Sequence, residues 1–202
     1  MNIEALTHEA IGLLEQMVAR PSVSRNEKEA ADLLEHFMTG HHMLPLRIGH
    51  NLVCFSPLNR KGRPTLLLNA HIDTVKPAAS WTRDPFRATR EGDRIYGLGT
   101  NDDGASVVSL LQVFRILSHK EQPYNLIFVA SCEEEVSGKN GIESVLPLLP
   151  QVDVALVGEP TGMRPAIAEK GLMVLDGTAH GKSGHAARNE GENAIYKALK
   201  DI

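Results

Sequence analysis

The chain has 202 residues, of which 42% are hydrophobic and 23% are charged, and its formal net charge is −4 at pH 7. This composition predicts a globular protein with a well-filled core and excludes a mainly disordered chain. A mildly acidic balance also lacks the basic surface that nucleic acid or an anionic membrane would require, so we expect neither as a partner.

The two cysteines and the N-terminal sequence bear on the cellular setting. Cys54 and Cys132 each lie in an apolar run, which favours reduced core residues over a disulfide or a metal pair. The N-terminus lacks the basic start and apolar core of a signal peptide. The longest apolar run, residues 126–130, is far too short to span a membrane. We therefore expect a soluble, cytoplasmic protein.

Two helices are predicted at the start of the chain. Apolar residues recur at helical spacing over residues 3–18, and Pro21 ends this helix. Ser24 and Glu27 have the spacing of a capping box, which predicts that a second helix opens there and ends at Gly40.

Strands and helices alternate after residue 50. Short apolar runs bounded by turn residues predict four strands, over 52–55, 65–69, 125–130 and 152–157. Helical spacing predicts two further helices, over 106–117 and 142–149. Residues 71–96, which include Trp81, are predicted to form a long functional loop. The alternation indicates an α/β fold, with a mostly parallel sheet flanked by helices.

The sequence changes character after residue 170. Apolar and polar residues alternate imperfectly over 172–179, a Gly-rich turn follows at 181–184, and a helix is predicted from about Asn193 to residue 202. We therefore expect a domain boundary between residues 170 and 171. A helix that begins so close to residue 202 also suggests a truncated chain.

Four acidic or histidine-containing clusters follow the predicted strands, at the sheet edge where open α/β folds bind ligands. In the first cluster, the His71 imidazole could bind a metal while the Asp73 carboxylate accepts the other ring N–H. Taken alone, such a pair is more often a pair of surface residues.

The second cluster contains Asp102 and Asp103, at the start of the helix predicted over 106–117. Both residues could simply cap that helix. In the alternative interpretation, Asp102 bridges two metal ions with its two oxygens and Asp103 alone caps the helix.

Three consecutive carboxylates, Glu133, Glu134 and Glu135, form the third cluster. Because like charges repel, a purely structural role requires these side chains to spread into water. Nearby cations would remove the repulsion, and neighbouring carboxylates could then divide metal binding and proton transfer between them.

The fourth cluster is centred on Glu159, which Pro160 restricts to an extended conformation. Alone it is only a turn. Together, one histidine and several carboxylates after separate strands fit a site for zinc or a related divalent cation.

These clusters resemble, in order, the successive motifs of the M20 metallopeptidase family. The motifs are His71-Ile-Asp73-Thr-Val, Tyr96-Gly-Leu-Gly-Thr-Asn-Asp102, Glu133-Glu134-Glu135-Val and Val157-Gly-Glu159-Pro-Thr. The last is similar to the branch that contains acetylornithine deacetylase and succinyl-diaminopimelate desuccinylase. The resemblance covers roughly residues 10–200 and is specific because four motifs occur in the right order. Two positions depart from the family pattern: Asp103-Gly-Ala follows Asp102, and Glu133 stands where aspartate is usual.

The resemblance implies a zinc-exopeptidase-like fold that binds two divalent cations, zinc or alternatively cobalt or manganese. His71 and Glu159 would bind one cation and Glu135 the other. Asp102 would bridge both.

The same resemblance implies roles in catalysis for three further residues. Asp73 would orient His71, and Glu134 would be the general base that takes a proton from the attacking water. His185 would reach a neighbouring subunit's site in a homodimer and stabilise the oxyanion. From the spacing alone, His185 is a surface-loop histidine.

By resemblance, residues 1–170 would be the N-terminal part of the catalytic domain, and residues 171–202 would begin an inserted α+β lid and dimerisation domain. The implied reaction removes an acetyl or succinyl group from a small amino acid such as ornithine, in amino-acid biosynthesis. A dipeptidase or aminopeptidase of the same family is one alternative. Because the family's last histidine ligand has no counterpart here, an inactive metal-binding fragment or interaction module is another. The third, acidic loops on a Rossmann-like domain, lacks a Gly-rich phosphate-binding motif.

Overall fold

The computed structural model describes residues 2–168, 170–171, 173–188 and 190–200. Contacts between Cα atoms divide the chain into two compact units, one ending at Met163 and the other beginning at Arg164. In the described part of the chain, no helix combines the length and the apolar character needed to cross a bilayer.

The first unit is built around a five-stranded sheet. The described part of this unit has seven strands: β1 (Leu46–Ile48), β2 (Asn51–Phe55), β3 (Thr65–His71), β4 (Thr89–Glu91), β5 (Arg94–Tyr96), β6 (Asn125–Ser131) and β7 (Val154–Val157). The main sheet has the order β1-β2-β6-β3-β7, and β4 pairs with β5 in a separate hairpin. Strands β6, β3 and β7 run parallel, whereas β1 and β2 add antiparallel pairs at one edge. The α/β fold is confirmed. Strand pairing is parallel from β6 through β3 to β7 and antiparallel from β1 through β2 to β6.

Four helices surround this sheet: α1 (Ile3–Val18), α2 (Lys28–Gly40), α3 (Ala105–Leu117) and α4 (Ile142–Val145). Three of them lie within a few residues of their predicted bounds. Helix α4 is shorter than predicted and continues as a 3-10 turn over Leu146–Leu148. Pro147 accounts for this ending because it has no N–H to donate to an α-helical carbonyl.

Alternate residues of the central strands face two apolar clusters, as the two-residue period of a strand requires. The larger cluster joins Leu68 and Phe128 to side chains from α1, α2 and α3. The smaller one joins Leu67 and Ile127 to Val145 of α4. The sheet is therefore covered by helices on both faces.

The capping box predicted at Ser24 and Glu27 is wrong. The Ser24 hydroxyl donates a 2.7 Å hydrogen bond to Oδ2 of Asp73, 49 residues away. The Glu27 carboxylate is fully buried and lies 2.7 Å from Nδ1 of His50. Helix α2 begins only at Lys28, and its N-cap residue Glu27 makes no side-chain hydrogen bond to the first turn of the helix. Buried tertiary partners thus replace the local cap that the spacing allows.

The predicted loop over 71–96 contains the β4–β5 hairpin. Glu91 pairs with Arg94, which leaves Gly92 and Asp93 as a two-residue turn with Gly92 at φ +61°. Glycine is favoured there because this positive φ strains residues that have a Cβ. Strand β1 was likewise not predicted. Three-residue strands are too short to show a clear alternation.

In the second unit, helix α5 spans Ala194–Ala198 and begins at Asn193, whose Oδ1 accepts the N–H of Ile195 at 2.9 Å. The predicted start of this helix is confirmed, but the helix is shorter than predicted, because it ends at Ala198 and residues 199–200 form a turn. Residues 201–202 lie outside the described residues. Lys182 forms an isolated antiparallel bridge with Glu192. Residues 173–179 are described and have no regular secondary structure.

Candidate metal centre

Five side chains of the kinds that bind metals meet at one edge of the main sheet. The carboxyl ends of the parallel strands β3, β6 and β7 lie at this edge, and each strand is followed by part of the cluster. His71 ends β3, Glu134 and Glu135 follow β6, and Glu159 follows β7. Asp102 joins them from the turn before α3.

The ligand atoms form two overlapping groups. Atoms of His71, Asp102 and Glu135 lie within 4.8 Å of one another, as do atoms of His71, Glu134 and Glu159. His71 belongs to both groups, whereas Asp102, which the resemblance implies as the bridging ligand, belongs to one. The cluster also brings the implied general base Glu134 beside the implied ligands.

The His71 ring is held from both sides. It is buried, and its Nε2 atom lies 3.0 Å from Oδ1 of Asp102 and 3.9 Å from Oε2 of Glu134. Its Nδ1 atom lies 2.9 Å from the backbone carbonyl of Asp73 and 3.4 Å from that residue's Oδ1. The closer partner of Nδ1 is therefore the Asp73 carbonyl oxygen, and the Asp73 carboxylate lies slightly farther from it.

Asp73 is a fully buried carboxylate that organises the neighbouring turn. Its Oδ1 accepts the backbone N–H of Glu134 at 3.0 Å, and its Oδ2 accepts the N–H of Glu135 at 3.1 Å. The Ser24 hydroxyl also donates to Oδ2. Burial alone would raise the pKa of Asp73, but His71 and these hydrogen bonds outweigh it and lower the pKa below its usual value.

Negatively charged groups outnumber positively charged groups in the cluster. Burial by itself would lower the pKa of His71, but the carboxylates around it, led by Asp73, raise this pKa to about 10. Burial raises the pKa of Glu135, and repulsion by Asp102 adds to the effect. Burial likewise raises the pKa of Glu159, with a further contribution from Glu134. Divalent cations would relieve this repulsion, so the electrostatics fit a metal centre.

The role predicted for Asp103 as a helix cap is wrong. Gly104 is the N-cap of α3, and within the described residues it receives no side-chain hydrogen bond. Asp103 is instead buried, and its Oδ2 accepts the backbone N–H of His71 at 3.2 Å. Burial raises the pKa of Asp103 to about 7. The side chain is thus bonded to the backbone of β3, and the Ser106 side chain of α3 partly offsets the rise in its pKa.

The three consecutive glutamates diverge. Glu133 has the left-handed φ of 54° and is buried, and its Oε1 accepts the amide of Asn140 at 2.9 Å. Its own N–H donates to Glu27 at 3.2 Å. Glu134 is half exposed and, with Glu135, faces the cluster. Glu133 thus bonds away from the cluster, whereas Glu134 and Glu135 still repel each other across it.

Two supporting residues, Ser24 and Glu27, were not predicted for the site. Both lie just before α2, and they contact Asp73 and Glu133 respectively. The only signal in the sequence was a polar Ser–Glu pair before a helix, and this pair is equally typical of a local cap.

His185 belongs to the second unit, where its Nδ1 accepts the N–H of Ala187 at 3.3 Å in an exposed segment. Its predicted role at a neighbouring subunit's site stays a prediction.

Comparison with known proteins identifies the family. Residues 67–200 match the sequence profile of the family described as Peptidase family M20/M25/M40, and the chain belongs to this family. The acetylornithine deacetylase of Pectobacterium carotovorum subsp. carotovorum (strain PC1) is 31% identical over 201 residues, covering 92% of this chain and 52% of that protein. The chain thus spans about half the length of this curated relative. The family predicted from the motifs is confirmed.

Solved structures confirm the fold. A tripeptidase from Staphylococcus aureus superposes with a TM-score of 0.62 at 21% identity, over 95% of this chain and 54% of that one. A dinuclear metal-binding peptidase of the M20 family from Bacillus subtilis gives a TM-score of 0.59 at 18% identity, over 76% of this chain and 43% of that one.

Proposed function

We propose that this chain carries a two-metal site of an amidohydrolase that removes an N-acyl group, acetyl or succinyl, from a small amino acid such as ornithine. The observation that carries the proposal is the convergence of one imidazole and four carboxylates in two overlapping groups. The similarity to an acetylornithine deacetylase supports the choice of substrate.

The donor set fits the proposed metals. Imidazole nitrogen and carboxylate oxygen suit zinc, and cobalt or manganese as well. The raised pKa values of Glu135 and Glu159 reflect burial first and, in addition, crowded negative charge that a cation would compensate. The implied ligands are His71, Asp102, Glu135 and Glu159. Bound there, two divalent cations would lower the pKa of a water molecule and polarise an amide carbonyl.

We propose Glu134 as the residue that moves protons. Its carboxylate is half exposed, and its Oε2 lies 3.9 Å from the His71 ring, at the open side of the cluster. A carboxylate in this position can take a proton from the attacking water and return it to the departing amine. Its backbone is fixed by the hydrogen bond to Asp73, which limits where the carboxylate can reach.

A cavity beside the cluster offers space for a small substrate. It measures about 320 Å³ and is lined by Glu134, Glu159 and apolar side chains that include Leu67, Ile142 and Val157. Its size lies at the lower end of the range of ligand pockets, roughly 300–1,000 Å³. An acylated amino acid could place its amide bond by the carboxylates and a short apolar part along this wall.

The proposal extends to predictions that rest on the family resemblance. We propose zinc as the resident metal, a cytoplasmic homodimer as the assembly, and His185 as the group that stabilises the oxyanion in a neighbouring subunit's site.

A substrate panel tests the reaction. The zinc-loaded protein is incubated with N-acetylornithine, N-succinyl amino acids, dipeptides and tripeptides, and the release of free amine is measured. We expect the acylated amino acids to be cleaved fastest. Faster cleavage of peptides would replace the deacylase proposal with a dipeptidase or aminopeptidase. Two bound metals with no turnover on any substrate would point to a binding module. A His71→Ala variant serves as the metal-deficient control.

A further inference from the structure

A small cavity behind His71 contains two buried polar groups that stand out in this fold. Within the described part of the chain, neither Oγ1 of Thr74 nor Oδ1 of Asp103 has a hydrogen-bond partner. Thr74 is 8% exposed and Asp103 is 1% exposed. Burying a polar atom without a partner is unfavourable, so buried hydroxyls and carboxylates are normally satisfied by protein or by ordered water.

Both residues line the same cavity. It measures about 20 Å³ and lies between the C-terminal end of α1, the segment that follows β3, and the turn before α3. A polar cavity needs only roughly 10–15 Å³ to hold one water molecule. The space therefore has room for one water molecule.

Among the described residues, the other groups of Thr74 are held by contacts that do not involve its hydroxyl. The backbone of Thr74 is already used, since its N–H donates to Ser22 at 3.0 Å and its carbonyl accepts from Ser24 at 3.2 Å. Its methyl group faces Gly99, where an added Cβ would lie 2.6 Å from Cγ2 of Thr74. Because the methyl group lies against Gly99, the hydroxyl of Thr74 points in a different direction.

Asp103 is also fixed in place. Its Oδ2 accepts the N–H of His71, and an added Cβ at Gly158 would lie 3.2 Å from the same oxygen. Oδ2 of Asp103 is thus bonded to β3 and lies near the start of the segment after β7, whereas Oδ1 has no hydrogen-bond partner among the described residues.

We infer that one internal water molecule is bound in this cavity and bridges Thr74 Oγ1 and Asp103 Oδ1. The water holds Asp103 against the backbone of His71 and thereby makes Thr74 a positioning residue for the His71 ring. A monovalent or divalent cation fits less well, because cations take several oxygen ligands and the apolar side chains of Met17, Val18 and Leu98 line part of the wall.

The effect on the metal centre rests on the proposed function, whereas the water itself does not. Groups that orient a metal ligand from behind typically change metal affinity by about 10–100-fold when they are removed. Because Thr74 acts on His71 through the water and Asp103, we expect an effect at the lower end of this range.

High-resolution crystal structures of the metal-free chain test the water. The wild type and Thr74→Ser, which keeps the hydroxyl, should show a single density peak within hydrogen-bond distance of residue 74 Oγ and Asp103 Oδ1. Thr74→Val should lose the peak. An empty cavity in the wild type, a Thr74 hydroxyl bonded to a protein acceptor, or a peak with five or more oxygen neighbours would overturn the inference. The wild-type map decides this point even if a variant fails to fold.

Zinc affinity, measured by competition with a chromophoric chelator, tests the positioning role. Thr74→Val should bind zinc about tenfold more weakly than the wild type, and Thr74→Ser should bind it within about twofold. Thr65→Val is the matched control, because it removes the hydroxyl of a buried threonine at the far end of β3. Equal affinity of Thr74→Val and Thr65→Val would refute the positioning role. If the wild type bound no zinc, the proposed function would fail while the crystallographic test of the water would still stand.

Discussion

Nε2 of His71 lies 3.0 Å from Oδ1 of Asp102, although 31 residues separate them in the sequence. One residue ends a central strand and the other lies in the turn before α3. A protonated imidazole compensates part of the carboxylate charge in this arrangement. A metal ligand must be deprotonated, so cation binding would exchange a proton for a metal at these atoms.

Glu134→Gln is expected to abolish turnover while leaving metal binding intact. The amide keeps the shape of the side chain but cannot accept a proton, and general-base catalysis typically contributes 10²–10⁴-fold in rate, so we expect kcat to fall by about this factor. Stopped assays of amine release and metal analysis of the same samples measure both properties. Glu143→Gln, an exposed position on α4, is the control. Near-normal kcat in Glu134→Gln would remove this residue as the base.

Asp73→Asn is expected to weaken both the fold and the metal centre. The amide nitrogen replaces one of two oxygens that accept N–H groups of Glu134 and Glu135, so a buried donor loses its acceptor. We expect the free energy of unfolding to fall by about 1–3 kcal/mol and metal affinity to fall by about 10–100-fold.

Urea unfolding and chelator competition measure these two changes for Asp73→Asn. Asp93→Asn, an exposed position in the β4–β5 turn, should match the wild type in both assays. A loss of stability with unchanged metal affinity would show that Asp73 does not position the site.

Two glycine-to-alanine variants should change stability in opposite directions. An added Cβ at Gly158 would lie 2.3 Å from Cβ of Ser106, so the end of β7 and the start of α3 would have to move apart. We expect Gly158→Ala to lower the free energy of unfolding by about 1–3 kcal/mol. At Gly12, inside α1, an added Cβ meets no heavy atom within 4 Å among the described residues, so Gly12→Ala should raise stability by roughly 0.5–1 kcal/mol. Equal effects, measured by urea unfolding, would contradict this packing.

Both thiols should resist alkylation in the folded protein. Cys54 and Cys132 are buried, and burial raises the pKa of each to about 12. At pH 8 roughly one thiol in ten thousand would then be ionised, and the thiolate is the reactive form. Mass spectrometry after iodoacetamide treatment should find no modification without urea and two modifications with urea. Rapid labelling of either residue in the native state would show that its strand is not buried as described.

The main elements were predictable because their sequence patterns are long. The apolar runs of β3 and β6 and the helical spacing of α1 each extend over enough residues to identify the element. The three-residue strands β1, β4 and β5 do not. Ser24 shows a second limit, since a cap and a distant hydrogen bond to Asp73 require the same residue type.

The candidate site was predictable at the level of its motifs but not of its supporting contacts. His71, Glu135 and Glu159 each adjoin a strand end, and the parallel strands bring those ends to one edge. The role of Asp103 could not be read in this way. It depends on the direction in which one side chain points, and this direction is set by the packing of α3 against β3.

Anomalous diffraction from crystals of this chain grown with zinc tests the central claim most directly. We expect two zinc peaks among the side chains of His71, Asp102, Glu134, Glu135 and Glu159, and loss of peak height in His71→Ala. Zinc bound only elsewhere on the surface, with these five side chains free of it, would contradict a two-metal site.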